Sequence, residues 1–451
     1  MKNALFALFA SAVALGVFAD GRRAVVSIAY DRASVSSTSP GVTGLEWRKD
    51  SIGQYGVFFD YAPADPSAKV TLSVANLPPK NWILLHDDMW QLGKWTIEEL
   101  AAGVDVGALA PGRYELGKKG GQTKPADWDE WKASEVFVKS TADGTMQPSF
   151  LRYPEKAKTE KVPLLVALHS WSYGYTMLDP ASWAWSAAKK NGWALLYPHF
   201  RGPNNTPEGC GSDLAVQDIA DAVEFAKRRI CVDEDRVYLL GGSGGGHMAL
   251  LMAARHPEIW AGVYSACPIS DIARWYRESS DPGRNLFPNY ARMIAKSCGG
   301  TPEEKPAEYS NRSPVTHLPS AKGKVFVDIC TGIHDGHRKP GGGSVPCGHA
   351  IRAYNCLADE KDRVGEDLIA EMEKTESVPD GELFRGKDPF FQRRIFLRRV
   401  SGGVRLTVFD AGHSGNYAEG VYWFNRQRRG KPVDWTLPES AEASAIREVT
   451  K

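Results

Sequence analysis

The sequence lacks the features that mark several classes of protein. Its 55 lysine and arginine residues almost balance its 54 aspartate and glutamate residues, so no charge excess points to nucleic acid or to an anionic membrane. No CxxC pair occurs, which leaves zinc-ribbon and thioredoxin-like sites without support. After residue 19 no apolar run is long enough to span a bilayer. We therefore expect neither a nucleic-acid partner nor, in the mature chain, a membrane partner.

The first residues carry a secretory signal pattern. Lys2 precedes an apolar run over residues 4–18, and the small residues Val17 and Ala19 stand three and one positions before a candidate cleavage site at Asp20. We expect residues 1–19 to be a signal peptide and the mature protein to be periplasmic or secreted. A retained N-terminal anchor is the alternative, although the run is short for a membrane helix.

Cysteine is scarce and absent from the first part of the chain. The 7 cysteines all follow residue 200. Export permits disulfides, and because 7 is odd, at least one thiol is expected to be free or to pair outside the chain. The sequence does not indicate the pairing or the oligomeric state.

Two regions differ in their hydrophobic pattern. Residues 20–118 contain short runs of apolar residues broken by turn formers, which predicts a small β-sandwich-like domain. Residues 119–139 are interpreted as a linker and 438–451 as a C-terminal tail. From residue 140 to 437, buried strands alternate with helices, which predicts an α/β domain with a mostly parallel sheet. The predicted buried strands are 164–168, 194–197, 237–240, 262–266, 325–330 and 406–409.

Ser243 is the candidate nucleophile. Residues 241–245 read Gly-Gly-Ser-Gly-Gly and stand between a predicted strand and a predicted helix. This is G-x-S-x-G in the strand–turn–helix setting that exposes a serine hydroxyl at the carboxyl end of a sheet. The alternative is a glycine-rich helix entry that binds a phosphate.

A serine nucleophile needs a base, and the base needs an acid that orients it. In α/β-hydrolases the chain order is serine, acid, histidine. His413 follows the last predicted strand and is the candidate base, although a histidine that merely caps a loop carbonyl is the alternative. Asp335 follows the strand 325–330 and is the candidate acid. Asp410 is the second choice, because it shares a loop with His413, whereas Asp328 lies too deep in its strand.

The cluster His334, Asp335 and His337 resembles a metal-binding pattern. Residues this close on one tight loop cannot easily face a single ion, so no metal is expected. Serine-based acyl transfer also requires no cofactor, and none is expected.

An oxyanion hole needs two amide donors. Gly244 follows the nucleophile and is expected to supply one of these amides. The other is expected to come from Ser170 or Trp171, and Trp171 is favoured.

Trp183 and Trp185 are interpreted as core residues. The excursion 268–300 is expected to form part of a lid. Arg201 and Asn204 have the alternative role of holding their own loop together. The predicted substrate contacts are Tyr173, Arg201, Asn204, Trp275 and Tyr276.

Residues 140–435 resemble the catalytic domain of the prolyl oligopeptidase family of α/β-hydrolases. The similarity rests on LLVALHSW, PHFRGPN at 198–204, QDIADAVEFA, GGSGGGHMALLMAARHPEIWAG at 241–262, TGIHDG, SVP and DAGH. The resemblance implies an α/β-hydrolase fold in which Ser243, Asp335 and His413 form a catalytic triad.

Two departures from that family argue against peptide substrates. Only about 120 residues precede the hydrolase region, too few for the propeller of the family's peptidases. The 78 positions from Asp335 to His413 also exceed the family's usual spacing. In both features the sequence resembles exported bacterial carbohydrate esterases. We therefore expect a secreted serine hydrolase that removes acetyl or feruloyl groups from a small-molecule ester or an acylated polysaccharide.

Two alternative functions stay open. One is a serine peptidase of the prolyl oligopeptidase family. The other is a polysaccharide-binding protein whose hydrolase domain is silent.

Overall fold

The chain folds into two compact units, Met1–Trp128 and Asp129–Lys451. The computed structural model describes residues 24–27, 34–37, 39, 41–49, 55–62, 64–65, 67–75, 82–86, 90–109, 111–117, 127–281, 288–337 and 344–439. The predicted signal peptide and residues 440–451 of the predicted tail lie outside these residues. Within them, no helix has both the length and the apolar character needed to cross a membrane.

The first unit contains two antiparallel sheets. One has the strand order β1-β2-β5-β8 and the other β3-β4-β9-β6-β7. Val70 and Leu72 of the first sheet share one hydrophobic core with Val57, Phe59 and Tyr114 of the second, as in a β-sandwich. The elements are β1 (Ala24–Ser27), β2 (Ser34–Ser37), β3 (Val42–Lys49), β4 (Tyr55–Tyr61), β5 (Lys69–Ala75), β6 (Trp82–His86), β7 (Trp90–Trp95), α1 (Ile97–Ala102), β8 (Val104–Ala108) and β9 (Gly112–Gly117).

The second unit is built on a nine-stranded sheet with helices between its strands. Its elements are α2 (Trp128–Ala133), β10 (Glu135–Lys139), β11 (Met146–Arg152), β12 (Val162–Leu168), α3 (Leu178–Asn191), β13 (Ala194–Pro198), α4 (Asp213–Arg229), β14 (Val232–Gly242), α5 (Gly244–Arg255), β15 (Gly262–Ala266), α6 (Ile272–Ser280), α7 (Pro288–Cys298), α8 (Pro306–Asn311), α9 (Pro314–His317), β16 (Val327–Gly332), α10 (Gly348–Leu357), α11 (Glu366–Thr375), β17 (Ile395–Ser401), β18 (Val404–Phe409) and α12 (Tyr417–Arg426). Short 3-10 helices occupy Glu155–Lys158, Leu318–Ala321 and Glu360–Asp362.

The strand order of this sheet is β10-β11-β13-β12-β14-β15-β16-β18-β17. The run from β13 to β18 is parallel, whereas β10 and β11 at one edge and β17 at the other pair antiparallel. Every residue of β12, β15, β16 and β18 is buried, as expected for central strands covered on both faces. All six buried strands predicted from the sequence are present, and the predicted α/β-hydrolase class is confirmed.

The segment interpreted as a linker is partly structured. Residues 129–139 contain most of α2 and the edge strand β10, which pairs with β11 in the large sheet. In β10 the apolar run over residues 136–138 is short and only Val138 is buried, as befits an edge strand. Residues 118–126 lie outside the described part of the chain.

A network of buried charges joins the last strands of the sheet to α12. Arg405 of β18 contacts Asp328 of β16 at 2.5 Å and Glu419 of α12 at 2.9 Å. Arg398 of β17 contacts Asp388 at 2.6 Å and Glu419 at 3.2 Å. Asp328 is therefore the partner of an arginine inside the sheet, which agrees with setting it aside as the catalytic acid.

Candidate active site

Ser243 occupies the sharp turn between β14 and α5. Its φ is 57° and its ψ is −120°, a left-handed backbone conformation that is strained for a residue with a side chain. The Ser243 amide donates to the carbonyl of Ala266 at 2.9 Å, which ties the turn to the end of β15. The serine thus stands at the carboxyl end of the parallel sheet, where the motif predicts it.

The Trp171 backbone packs directly against Gly244. A Cβ on Gly244 would lie 2.5 Å from both the nitrogen and the Cα of Trp171, so only glycine allows this approach. Among the residues that the structure describes, neither the Gly244 amide nor the Trp171 amide donates to a protein acceptor. Two amides beside the nucleophile can therefore face a substrate oxygen. The neighbouring Ser170 carbonyl accepts a hydrogen bond from the His169 ring at 3.0 Å.

His413 and Asp335 form a close pair. Nδ1 of His413 lies 2.6 Å from Oδ2 of Asp335. The other carboxylate oxygen of Asp335 accepts from the amides of Gly336 at 2.9 Å and Val345 at 3.1 Å. These bonds fix the buried carboxylate, and the carboxylate in turn orients the imidazole. With Nδ1 engaged, Nε2 is the ring nitrogen left for proton transfer.

The surroundings of His413 raise its pKa. Burial alone lowers the pKa, but the negative charge of Asp335 and the hydrogen bond to it raise it, and the net change is upward. The histidine is therefore a stronger base than an exposed one, as a general base requires.

A cavity of about 300 Å³ opens beside the nucleophile. Ser243 and His413 both border it. The other lining residues are mostly apolar and come from the ends of β12 and β14, from α3 and its approach, and from the start of α12: Ala167, Leu168, Ser170, Met177, Pro180, Trp183, Leu240, Gly242, Cys267, Ser414, Gly415 and Tyr417. Trp183, which the sequence interpretation assigned to the core, therefore faces the site. Tyr417 and Met177 were missed, because nothing in the local sequence shows that the start of α12 or the residue before α3 borders a cavity.

Trp275 and Tyr276 do not line this cavity, which corrects their prediction as substrate contacts. Trp275 is buried in a hydrophobic cluster, and its indole nitrogen donates to the carbonyl of Ser344 at 2.8 Å. Tyr276 packs edge-on against Tyr309, with ring centroids 5.9 Å apart. Tyr173 is 38% exposed and also lies outside the lining.

Arg201 and Asn204 hold their loop together, which is the alternative that the sequence left open. Arg201 pairs with Asp143 and Asp218. Asn204 is fully buried, and its side chain donates to the Trp171 carbonyl at 3.2 Å and accepts from the Cys210 amide at 2.7 Å. Asn204 therefore supports the backbone that carries the Trp171 amide instead of touching a ligand in the cavity.

The remaining titratable residues near the triad have other partners. His334 lies between Glu376 at 2.6 Å and Asp410 at 2.9 Å, so the second-choice acid Asp410 is engaged by His334. In the described part of the chain, the potential metal ligands close enough to share an ion are Cys267 and the Asp335–His413 pair, within 4.8 Å of one another. Burial and the nearby charge of Asp335 raise the pKa of the Cys267 thiol, which disfavours the thiolate that a metal would need.

Comparison with known families shows which proteins this part of the chain is similar to. Residues 182–362, which include Ser243 and Asp335, match the model of the prolyl oligopeptidase family. Residues 182–362 are therefore similar to a prolyl oligopeptidase family domain. The predicted family resemblance is thereby confirmed, and the domain has the fold and the residues of a serine hydrolase, an enzyme that cleaves esters or peptides.

Relatives of this domain include both peptidases and esterases. The chain is 30% identical over 141 residues to the uncharacterized peptidase YtmA of Bacillus subtilis, covering 30% of this chain and 50% of that protein. It is 32% identical over 136 residues to feruloyl esterase B of Neurospora crassa, covering 25% and 43%. The chain thus spans half or less of these curated relatives. A solved acylaminoacyl peptidase from Pyrococcus horikoshii aligns with a TM-score of 0.46 at 12% identity, over 95% of this chain and 73% of that chain.

Proposed function

We propose that the protein is an exported serine esterase that removes acetyl or feruloyl groups from carbohydrate. The observation that carries this proposal is the Asp335–His413 pair at 2.6 Å, beside a strained Ser243 on the wall of one apolar cavity. This arrangement supplies a nucleophile, a base and an orienting acid.

The first half-reaction forms an acyl-enzyme. Ser243 Oγ attacks the ester carbonyl carbon while Nε2 of His413 takes the hydroxyl proton. The carbonyl oxygen becomes negative and accepts hydrogen bonds from the amides of Gly244 and Trp171. The C–O bond to the alcohol then breaks, and His413 returns its proton to the departing alkoxide oxygen.

The second half-reaction releases the acid. His413 takes a proton from water, and the resulting hydroxide attacks the acyl carbon of the Ser243 ester. The bond to Oγ breaks, Oγ recovers the proton from His413, and the free acid leaves. Asp335 holds the imidazole in one orientation throughout.

The lining of the cavity supports the proposal that the substrate carries an uncharged acyl group. Among the described residues that border it, none is Asp, Glu, Lys or Arg. Such a wall offers a charged peptide terminus no counter-ion, and burial of an unpaired charge is costly. An uncharged acyl group on a sugar hydroxyl has no such cost.

The signal pattern supports the export part of the proposal. An exported esterase would meet polysaccharide that cannot enter the cell. Expression of the full chain with a fractionation of the culture tests this: export predicts a mature protein that begins at Asp20, and full-length protein retained in the cell would contradict it.

Substrate class is tested by assaying one purified preparation on three substrates. Aryl acetates, feruloyl esters of a sugar, and proline-containing peptide amides are compared, with Ser243→Ala as the matched control. The proposal predicts ester turnover that is absent from the variant. Preferential amide cleavage would establish a peptidase, and no turnover with no covalent labelling by a fluorophosphonate would establish a silent domain.

A further inference from the structure

Two aromatic rings stand next to each other in the wall of the apolar cavity. Trp183 on α3 and Tyr417 at the start of α12 both line it, and their ring centroids are 5.4 Å apart. Met177 and Pro180 continue the wall from the start of α3, and Leu240 adds the end of β14. Flat, polarisable walls of this kind favour contact with another ring over contact with a methyl group.

The cavity begins directly at the nucleophile. A Cβ on Gly242, the residue before Ser243, would lie 1.9 Å from the Tyr417 hydroxyl oxygen. Only glycine at this position allows Tyr417 to reach the turn that carries Ser243. A group bound beside Tyr417 is therefore adjacent to the reacting carbonyl.

The size of the cavity limits what enters it. A cavity of about 150 Å³ holds one benzene ring. The cavity here, at about 300 Å³, has room for a ring and a short linker, whereas an acetyl group would leave most of it empty. A sugar chain is too large, so on the proposed esterase function the alcohol stays outside and the acyl group enters.

We propose that this cavity selects an aromatic acyl group, with Trp183 as the specificity-determining residue that contacts its ring. The inference rests on the proposed esterase function and chooses between the acyl groups that it left open. We expect burial of one ring to give a preference of about 10- to 100-fold over acetyl, which corresponds to about 1.4–2.7 kcal/mol.

The test compares esters that carry the aromatic ring on the acyl side with esters that carry it on the alcohol side. Specificity constants are measured for ethyl acetate, ethyl cinnamate and phenyl acetate, each normalised to its rate of alkaline hydrolysis, for the wild type, Trp183→Ala, Trp183→Phe and Trp185→Ala. Trp185 lies on the same helix but packs against Arg152, with the guanidinium 4.6 Å from its ring, and does not line the cavity. It therefore controls for loss of a tryptophan from α3.

We expect the wild type to prefer ethyl cinnamate to ethyl acetate by about 10- to 100-fold. Trp183→Ala should lower kcat/KM for ethyl cinnamate about tenfold more than kcat/KM for ethyl acetate, Trp183→Phe should restore most of this difference, and Trp185→Ala should change neither constant. Acetate turnover that persists in Trp183→Ala shows that this variant is folded.

Three results would overturn the inference. Equal normalised rates for the two ethyl esters would remove the acyl preference while leaving the esterase function intact. A loss in Trp183→Ala confined to phenyl acetate would show that the cavity receives the alcohol. No turnover of any ester would overturn the proposed function and this inference with it.

Discussion

At the scale of single residues, three residues carry the proposed chemistry, and each has an unusual backbone conformation or electrostatic environment. Ser243 has a strained backbone, with φ at 57°. Asp335 is buried and accepts two backbone amides as well as the imidazole. His413 has a raised pKa because Asp335 outweighs the effect of burial. Strain and buried charge cost stability, so their concentration around one cavity indicates a functional site.

The raised pKa of His413 sets the pH dependence. The general base must be neutral, and an upward-shifted pKa keeps it protonated to a higher pH. We expect kcat/KM for an aryl acetate to fall as the pH drops, with a midpoint above the pH at which an exposed histidine titrates. A pH–rate profile of the wild type measures this, and a midpoint below the ordinary histidine value would contradict it.

Replacement of Asp335 should shift that midpoint and slow the reaction. Asp335→Asn removes the charge that raises the pKa of His413 and leaves the burial that lowers it, so the acidic limb should move to lower pH. The rate should fall about 10⁴-fold, the scale known for loss of the triad acid. Asp410→Asn is the matched control, since Asp410 contacts His334. A larger loss in Asp410→Asn would reverse the assignment of the acid.

At the scale of elements, the site depends on one loop that follows β12. This loop carries the Trp171 amide, and Asn204 fixes it from the neighbouring loop after β13 through bonds to the Trp171 carbonyl. The carboxyl ends of parallel strands meet at one edge of the sheet, so the loops after β12, β13, β14 and β18 converge there.

We expect Asn204→Ala to impair both stability and catalysis. The change leaves the buried Cys210 amide without its acceptor, at a cost of about 1–3 kcal/mol in the free energy of unfolding. The loop after β12 also loses the side-chain bond that supports it. We therefore expect kcat to fall about tenfold with little change in KM, because the Trp171 amide acts mainly on the transition state. Asn425→Ala, which removes an exposed bond to Asn191, is the control. Equal behaviour of the two variants in urea unfolding and kinetics would refute this role.

The sequence predicts the strands and the chain order of the triad residues better than it predicts which residues face the cavity. The central strands are runs of apolar residues buried on both faces, and G-x-S-x-G marks its own turn, so both are encoded locally. Arg201 and Asn204 sit on the predicted loop and Trp275 on α6, but their side chains turn inward. Partners elsewhere in the chain satisfy them: Asp218, the Trp171 carbonyl and the Ser344 carbonyl respectively. Trp183 and Tyr417 meet only through the packing of α3 and α12, which no local pattern reveals.

At the scale of the whole molecule, the described residues form two units with separate cores. The large sheet of the second unit also holds the buried network of Arg398, Arg405, Asp328, Asp388 and Glu419. Two guanidinium groups face three carboxyl groups, so the network is neutral only when one carboxyl keeps its proton. Burial raises the pKa of Glu419 to about 8, above the usual range despite Arg405 and Arg398, which makes it the group that stays protonated.

This network should make the protein less stable as the pH rises. Glu419 keeps its proton in the folded state up to about pH 8 but loses it at ordinary carboxyl pKa values when unfolded, so unfolding releases a proton between these limits. The stabilisation is complete at low pH and is lost through the folded pKa. Urea midpoints at pH 5, 7 and 8.5 should fall more steeply in the wild type than in Glu419→Gln, whose amide does not titrate. Parallel midpoints in the two proteins would contradict the protonated state.

The most direct test of the central claim is covalent labelling of the intact protein with a fluorophosphonate, read by intact mass and by peptide mapping. The structure predicts one added phosphonate per chain, located on Ser243, with labelling that slows as His413 becomes protonated. Ser243→Ala should take up no label and should lose ester turnover by about 10⁶-fold. A label on any other residue, or ester turnover that survives in Ser243→Ala, would contradict the assignment of the nucleophile.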